Sequence, residues 1–337
     1  MTIPIIATIA SVLLSFAVAA PRPPAPLRIA IVGMVHGHVE GILSEAARRE
    51  DIRIVGVYEP DRAVFDRLAA KYKLNPAIYS ASLDAMLDTA KPEAVSVMTS
   101  IKDHLMAVEA CAPRGVHLLL EKPLAYSNDD ARRMAELAAR HKVLVLTNYE
   151  TSWYASLREA KRLVDSGEFA PIRRMTFRHG HKGPKEIGCQ PEFLAWLTDP
   201  VGNGGGAIVD FGCYGAVLST WLMNGQRPTS VTATASTLKP AMYPNVDDDA
   251  TIILTYPTAT AVIGASWAWT HDNKEADIYT ERGSIHPCQV GRAHGPRAGP
   301  AARRHKAFGQ ASAPRQRMDV PAAGDPRGVR GRPALEP

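Results

Sequence analysis

The sequence predicts an α/β protein in two parts: a mostly parallel sheet covered on both faces over residues 28–150, then an α/β domain of consecutive strands over 151–286. Three observations predict it. Strand-like and helix-like segments alternate through the first part, the arrangement of a parallel sheet with helices on both sides. The run Arg28-Ile29-Ala30-Ile31-Val32 enters a turn at Gly33. Beyond residue 229, Val-, Ile- and Thr-rich stretches succeed one another with Pro, Asn or Asp between them, which marks consecutive strands.

Each element follows in order. After the first strand, residues 39–49 place Val39, Ile42, Leu43 and Ala46 on one side of a helix. Residues 51–58 form the next strand, ended by Glu59-Pro60-Asp61, and 62–72 a helix. A short helix is expected at 83–90, a buried-type strand at 94–98, a helix around 103–113 and a strand at 116–120. Ser127, followed by Asp129 and Asp130, caps a helix over 127–141, and a strand at 143–147 completes the sheet. The join falls near 148–153. A helix at 154–165 shows Leu157, Ala160, Leu163 and Val164 as its apolar stripe, and 172–177 reads as a strand. Residues 192–198 read as a short helix or loop over a cleft, and 210–223 as a helix. Strands are expected at 229–237, 249–256, 261–269 and 276–280. The alternation Trp267-Ala268-Trp269 puts both indoles on one sheet face.

The chain of 337 residues has a formal charge of +5, but the charge is uneven. Residues 287–337 hold nine Arg and one Lys against two Asp and one Glu, so residues 1–286 carry −2. This excludes a globally basic nucleic-acid binder. The Arg/Pro/Ala/Gly-rich tail has no helical or strand period and reads as disordered. Its abrupt onset also resembles a shifted reading frame. Residues 1–27 begin with an uncharged apolar run at 3–20 and Ala17-Val18-Ala19, followed by a Pro-rich joint. That pattern predicts a signal peptide and a secreted or periplasmic protein, with a retained anchor or a misplaced start as alternatives. Four cysteines without metal spacing exclude a disulfide framework.

The turn Gly33-Met34-Val35-His36-Gly37-His38 carries only the first glycine of a dinucleotide fingerprint. Its setting is more informative: strand, turn, helix, then an acidic residue, Glu59, closing the second strand. A glycine there lets backbone N–H groups approach a pyrophosphate at a helix N-terminus. Glu59 is expected to accept from ribose hydroxyls, which favours NAD over NADP, with a capping or solvated carboxylate as the alternative. His36 and His38 stand too close in sequence, without a carboxylate at usual spacing, to predict a metal site. Gly202-Asn203-Gly204-Gly205-Gly206 lacks the Lys-Ser/Thr pair of a phosphate loop, and Asn245 with Asp247–Asp249 lacks the order of a calcium loop.

Glu121-Lys122-Pro123 at a strand end, together with the first strand and Gly204-Gly205-Gly206-Ala207-Ile208-Val209-Asp210-Phe211-Gly212-Cys213-Tyr214-Gly215, resembles the Gfo/Idh/MocA oxidoreductase family over residues 28–286. The resemblance implies an N-terminal Rossmann domain and a C-terminal α/β domain with a large, mainly antiparallel sheet. It also implies hydride transfer between NAD or NADP and a sugar or cyclic polyol. Lys122 would stand between nicotinamide and reacting hydroxyl, lowering the alcohol's pKa and stabilising alkoxide charge. Glu121 would position it, and Pro123 follows a cis bond in this family. Asp210 would orient the sugar, and Tyr214, where many relatives have histidine, would exchange a proton with the substrate oxygen. Gly33, Val35, His36, Thr99, Ser100 and His104 would line the cofactor. A helix-capping role competes for His104, and a structural one for Tyr214.

Two other functions compete with a dehydrogenase: an NAD-using glycoside hydrolase, and a secreted carbohydrate-binding protein without catalysis. The second sheet is expected to support a homo-oligomer. Relatives continue past residue 285 with another helix and strand, so the altered C-terminus is expected to weaken the second domain.

Overall fold

The computed structural model describes residues 25–287. The leader, the basic tail and Cys288 lie outside the described residues.

The first sheet has six parallel strands: β1 Leu27–Val32, β2 Ile52–Tyr58, β3 Tyr79–Ser80, β4 Ala94–Val97, β5 His117–Glu121 and β6 Val145–Asn148. Their order is β3-β2-β1-β4-β5-β6. The order reverses beside β1, and ligand crevices open at that point, beyond the carboxyl ends of the strands. Helices α1 Val39–Ala46, α2 Arg62–Tyr72, α3 Leu83–Ala90, α4 His104–Cys111 and α5 Asn128–His141 cover the sheet. The caps are those the sequence supplies. Asp61 accepts from the Ala63 N–H, Ser82 from the Ala85 N–H and Ser127 from the Asp130 N–H, which satisfies first-turn donors. Two apolar clusters, one through Val32, Val97 and Leu120 and one through Ile31, Val57 and Phe65, fill the two faces.

The second half carries α6 Ala155–Asp165, β7 Ile172–Gly180, the short helices α7 Pro191–Leu197, α8 Pro200–Asn203 and α9 Ala207–Asp210, and then α10 Gly212–Leu222. Strands β8 Ser230–Ser236, β9 Asp249–Thr255, β10 Thr260–Ser266, β11 Asn273–Thr280 and β12 Gly283–Ile285 follow. They form one sheet in the order β12-β11-β7-β10-β9-β8, antiparallel except where β10 lies parallel to β7. Met175, Phe177, Leu254, Ala261, Ile263, Ala276 and Ile278 point inward onto Leu157, Ala160 and Leu163 of α6 and Leu218 and Leu222 of α10. Thr176, Ile253, Val262 and Asp277 lie on the other face, and none of them is buried.

Two expectations are corrected. The helix expected over 210–223 is broken at Phe211, between α9 and α10. The strand expected over 261–269 ends at Ser266, so the two indoles do not share a sheet face. Trp267 turns inward and is fully buried, whereas Trp269 packs over Gly180 and Gly264. The acidic loop serves the backbone. Asp247 accepts from the N–H groups of Gly206 and Ile208, both at 2.7 Å, and Asp248 from those of Leu238 and Lys239 at 2.6 and 2.7 Å. Gly206 is needed there, because a Cβ would overlap the Asp247 carbonyl oxygen.

Candidate active site

The carboxyl ends of β1, β4, β5 and β6 bring the predicted residues to one crevice. Gly33 follows β1 with φ +76°, a conformation glycine adopts without strain. A Cβ on it would stand 2.6 Å from Thr99 Cγ2, so the turn and the end of β4 are closely packed. The N–H groups of Val35 and Gly37 have no partner among the described contacts, and they lie just ahead of α1. Open donors at a helix N-terminus suit a dinucleotide's pyrophosphate. The buried Nε2 of His104 is likewise unpartnered, while its Nδ1 lies 3.1 Å from the Leu124 carbonyl oxygen.

Glu59 does something other than expected. It is 1% exposed, and its carboxylate accepts from the Met34 N–H at 2.6 Å and the Asp61 N–H at 3.0 Å. It braces the glycine turn from below and does not stand open to a ribose. Burial raises its pKa against those two bonds. Thr99 Oγ1 donates to the Ser100 carbonyl, and Ser100 Oγ to Asp103 Oδ2 at 2.7 Å, so both hydroxyls shape the loop after β4.

Glu121 ends β5 and is fully buried. Its Oε1 accepts from Asn148 Nδ2 at 2.9 Å, and its Oε2 lies 3.1 Å from His38 Nδ1 and 3.8 Å from His36 Nε2. Burial opposes its ionisation, but the His38 hydrogen bond and the two imidazoles hold its pKa at about 2. No carboxylate stands at ligand spacing from the two histidines along the chain; the fold brings one from another strand. The three groups offer atoms within 4.8 Å of one another. A metal nevertheless fits poorly. His36 Nδ1 accepts from the His38 N–H at 3.2 Å, which puts the ring proton on Nε2, the nitrogen facing Glu121. Coordination through that nitrogen would set two N–H groups against each other. His36 is buried and its pKa is lowered to about 3, so the ring is neutral.

Lys122 follows, with a cis bond to Pro123. Its ammonium donates to both Asp210 Oδ1 and, at 3.0 Å, the Asp210 carbonyl oxygen. Asp210 Oδ2 accepts from Trp267 Nε1 at 2.8 Å. Burial works against both charges. The pairing outweighs it, raising the pKa of Lys122 and lowering that of Asp210, so both are ionised at neutral pH. Two of the three ammonium hydrogens are thereby used, and one remains for a substrate oxygen. Tyr214 lies on the adjoining helix, with Lys122 Nζ 5.2 Å from its ring centroid. Burial raises its phenol well above the ordinary range, so it is a neutral donor and not a phenolate base. Cys213 beside it donates weakly to the Asp210 carbonyl at 3.4 Å, and burial pushes its thiol up to about 12, which leaves it inert.

Several residues at this crevice escaped sequence reasoning. Trp267 fixes Asp210, and Lys274 Nζ stands 5.4 Å from the Tyr214 ring. His181 packs against Phe211 with the two rings nearly perpendicular and their centroids 4.9 Å apart. From α7, Phe193 packs against His36 with centroids 4.8 Å apart, and Glu192 pairs with Arg67 of α2 at 2.7 Å, closing the second domain over the glycine turn. Trp196, within the 192–198 segment expected over the cleft, lies 5.7 Å from the His36 ring.

The family model described as "Oxidoreductase family, NAD-binding Rossmann fold" matches residues 27–149, and the one described as "GFO/IDH/MocA C-terminal domain" matches 157–286. The chain belongs to the Gfo/Idh/MocA oxidoreductase family. Among curated members, it is 27% identical over 165 residues to a D-xylose 1-dehydrogenase [NADP(+)] of Haloarcula marismortui, covering 49% of this chain and 45% of that enzyme. It therefore spans about half the length of that relative, and 52% of a D-glucoside 3-dehydrogenase of Escherichia coli, to which it is 27% identical over 193 residues and 56% of its own length. The same fold occurs in an inositol dehydrogenase homolog of Azotobacter vinelandii complexed with NAD+. The TM-score is 0.68 at 20% identity, covering 77% of this chain and 70% of that one. Within this family the open turn donors and the buried lysine have an NAD-binding fold as their setting.

Proposed function

We propose that the protein is an NAD-dependent oxidoreductase acting on a sugar or cyclic polyol. The observation that carries the reading is the Lys122 ammonium, held at the end of the parallel sheet by Asp210 from the second domain, with one hydrogen left for substrate. The open N–H groups of Val35 and Gly37 would hold the dinucleotide, whose nicotinamide supplies hydride acceptance or donation. Lys122 then fixes the reacting oxygen and stabilises negative charge on it. Asp210 keeps the lysine charged and aimed, and Trp267 keeps Asp210 in place. Tyr214, neutral at physiological pH, is suited to giving a proton to a carbonyl oxygen, which favours reduction as the working direction.

The test is a panel of neutral sugars and inositols with NAD and with NADP, followed through the nicotinamide absorbance. Substrate-dependent change with NAD supports the reading. Cofactor binding without turnover across the panel, in a folded sample, rejects it. The outer face of the second sheet, on which Ile253 is exposed and Val262 half-buried among the described residues, supports association of two copies. A dimer by light scattering that Ile253→Asp converts to monomer is the expected outcome. The apolar run at 3–20 supports export, and amino-terminal sequencing of the mature protein tests it.

A further inference from the structure

A second ion pair borders the same tyrosine. Lys274, the second residue of β11, stands opposite His179 of β7 in the sheet register. Its side chain therefore leaves the inner face of the sheet, and its ammonium reaches both the Tyr214 ring and Glu150 Oε2. Glu150 comes from the domain join just beyond β6, and its other oxygen accepts from the Tyr154 hydroxyl at 2.6 Å. Pairing with Lys274 holds the Glu150 carboxyl below the usual range although burial works the other way.

The two pairs at Tyr214 differ in exposure. The side chains of Lys122 and Asp210 are each 7% exposed, whereas those of Lys274 and Glu150 are 20% and 37% exposed. The first pair is sealed at the reacting centre. The second, beside the Tyr214 ring, is partly open, with capacity to spare. Lys274 uses one of its three hydrogens on Glu150, and a carboxylate accepting one bond at each oxygen keeps a lone pair on each. The pair offers donors and acceptors side by side without net charge. Adjacent hydroxyls, each a donor and an acceptor, match that array; a phosphate or carboxylate meets Glu150 and does not.

We infer that Glu150 and Lys274 form the subsite that reads a vicinal diol of an uncharged substrate, Glu150 accepting from one hydroxyl and Lys274 donating to its neighbour. This rests on the oxidoreductase reading above and narrows its substrate class to neutral polyols, excluding sugar phosphates and sugar acids.

The experiment compares wild type, Glu150→Gln, Lys274→Met and the double variant. Each is assayed on the neutral sugar that wild type turns over best and on the uronate of that sugar. Glu150→Gln is expected to raise KM for the neutral sugar about tenfold or more, by more than kcat falls, as loss of a charged hydrogen bond would. It is also expected to lower KM for the uronate, because Lys274 is left without its counter-charge. The double variant carries no unpaired charge and is expected to lose the neutral sugar without gaining the uronate. Thermal melting and NAD affinity report on folding separately. If KM for the neutral sugar is unchanged, or both sugars weaken in parallel, the inference fails while the oxidoreductase reading stands. If wild type turns over no sugar, both fail.

Discussion

At the scale of single residues, the site depends on one buried pair and its third partner. Lys122→Met would leave the Asp210 carboxylate buried with Trp267 as its remaining side-chain donor. Breaking such a pair costs about 3–5 kcal/mol, because an uncompensated charge stays inside. Denaturant midpoints should fall accordingly, and turnover by about 10²–10⁴-fold. The double variant K122M/D210N should recover much of the stability but none of the turnover, which separates chemistry from folding. Lys122, Asp210 and Tyr214 stood out in the sequence through the motifs that resemble the family, although the helix expected to carry the last two is broken between them at Phe211. Glu150 and Lys274 did not. They lie 124 residues apart, and only the register of β11 against β7 brings them together. Glu59 was legible as important but not in its task, since a carboxylate turned beneath a loop has the same sequence as one turned toward a ligand.

At the scale of elements, a four-residue helix carries Asp210, and the loop before β9 holds it. Asp247 supplies both oxygens to the first N–H groups around α9, as a cap does for a longer helix. Asp247→Ala should cost about 1–2 kcal/mol in chemical denaturation. It should also lower kcat, because Asp210 loses its fixed position against Lys122. Gly206→Ala should be worse, since a Cβ there overlaps the Asp247 carbonyl and the backbone itself must move. The sequence marked 202–206 as a glycine-rich path and rejected it as a phosphate loop. Why the glycines are there depends on the distant loop that touches them. The helices of the first domain were readable from periodicity and caps. The break at Phe211 and the early end of β10 were not, because apolar residues continue through both and only the packing beneath decides where each element stops.

At the scale of the whole molecule, folding buries histidines as neutral rings, His36 beneath Phe193 of the second domain and His179 within that domain beside Phe177 and Tyr214. Burial lowers the pKa of both His36 and His179 to about 3. An unfolded histidine protonates near 6.5. Between those values the unfolded chain binds more protons than the folded one, so stability falls as pH drops from about 6.5 toward 3, by up to about 1.4 kcal/mol per pH unit for each ring. The melting temperature should therefore be nearly flat above pH 7 and fall steadily below 6. His179→Gln should make that fall shallower, and an unchanged slope would show that the ring takes its proton without unfolding. The sequence by itself determined the parallel first sheet, its glycine turn, the strand-rich second domain and the lysine at the end of the fifth strand. Short-range periodicity, turn chemistry and local motifs carry that information. Only the tertiary structure decided that Trp267 locks Asp210, that Glu121 lies beneath two histidines, and that a second ion pair borders Tyr214. These contacts join residues far apart in the chain, and their geometry exists only once the strands, helices and loops that carry them have packed together.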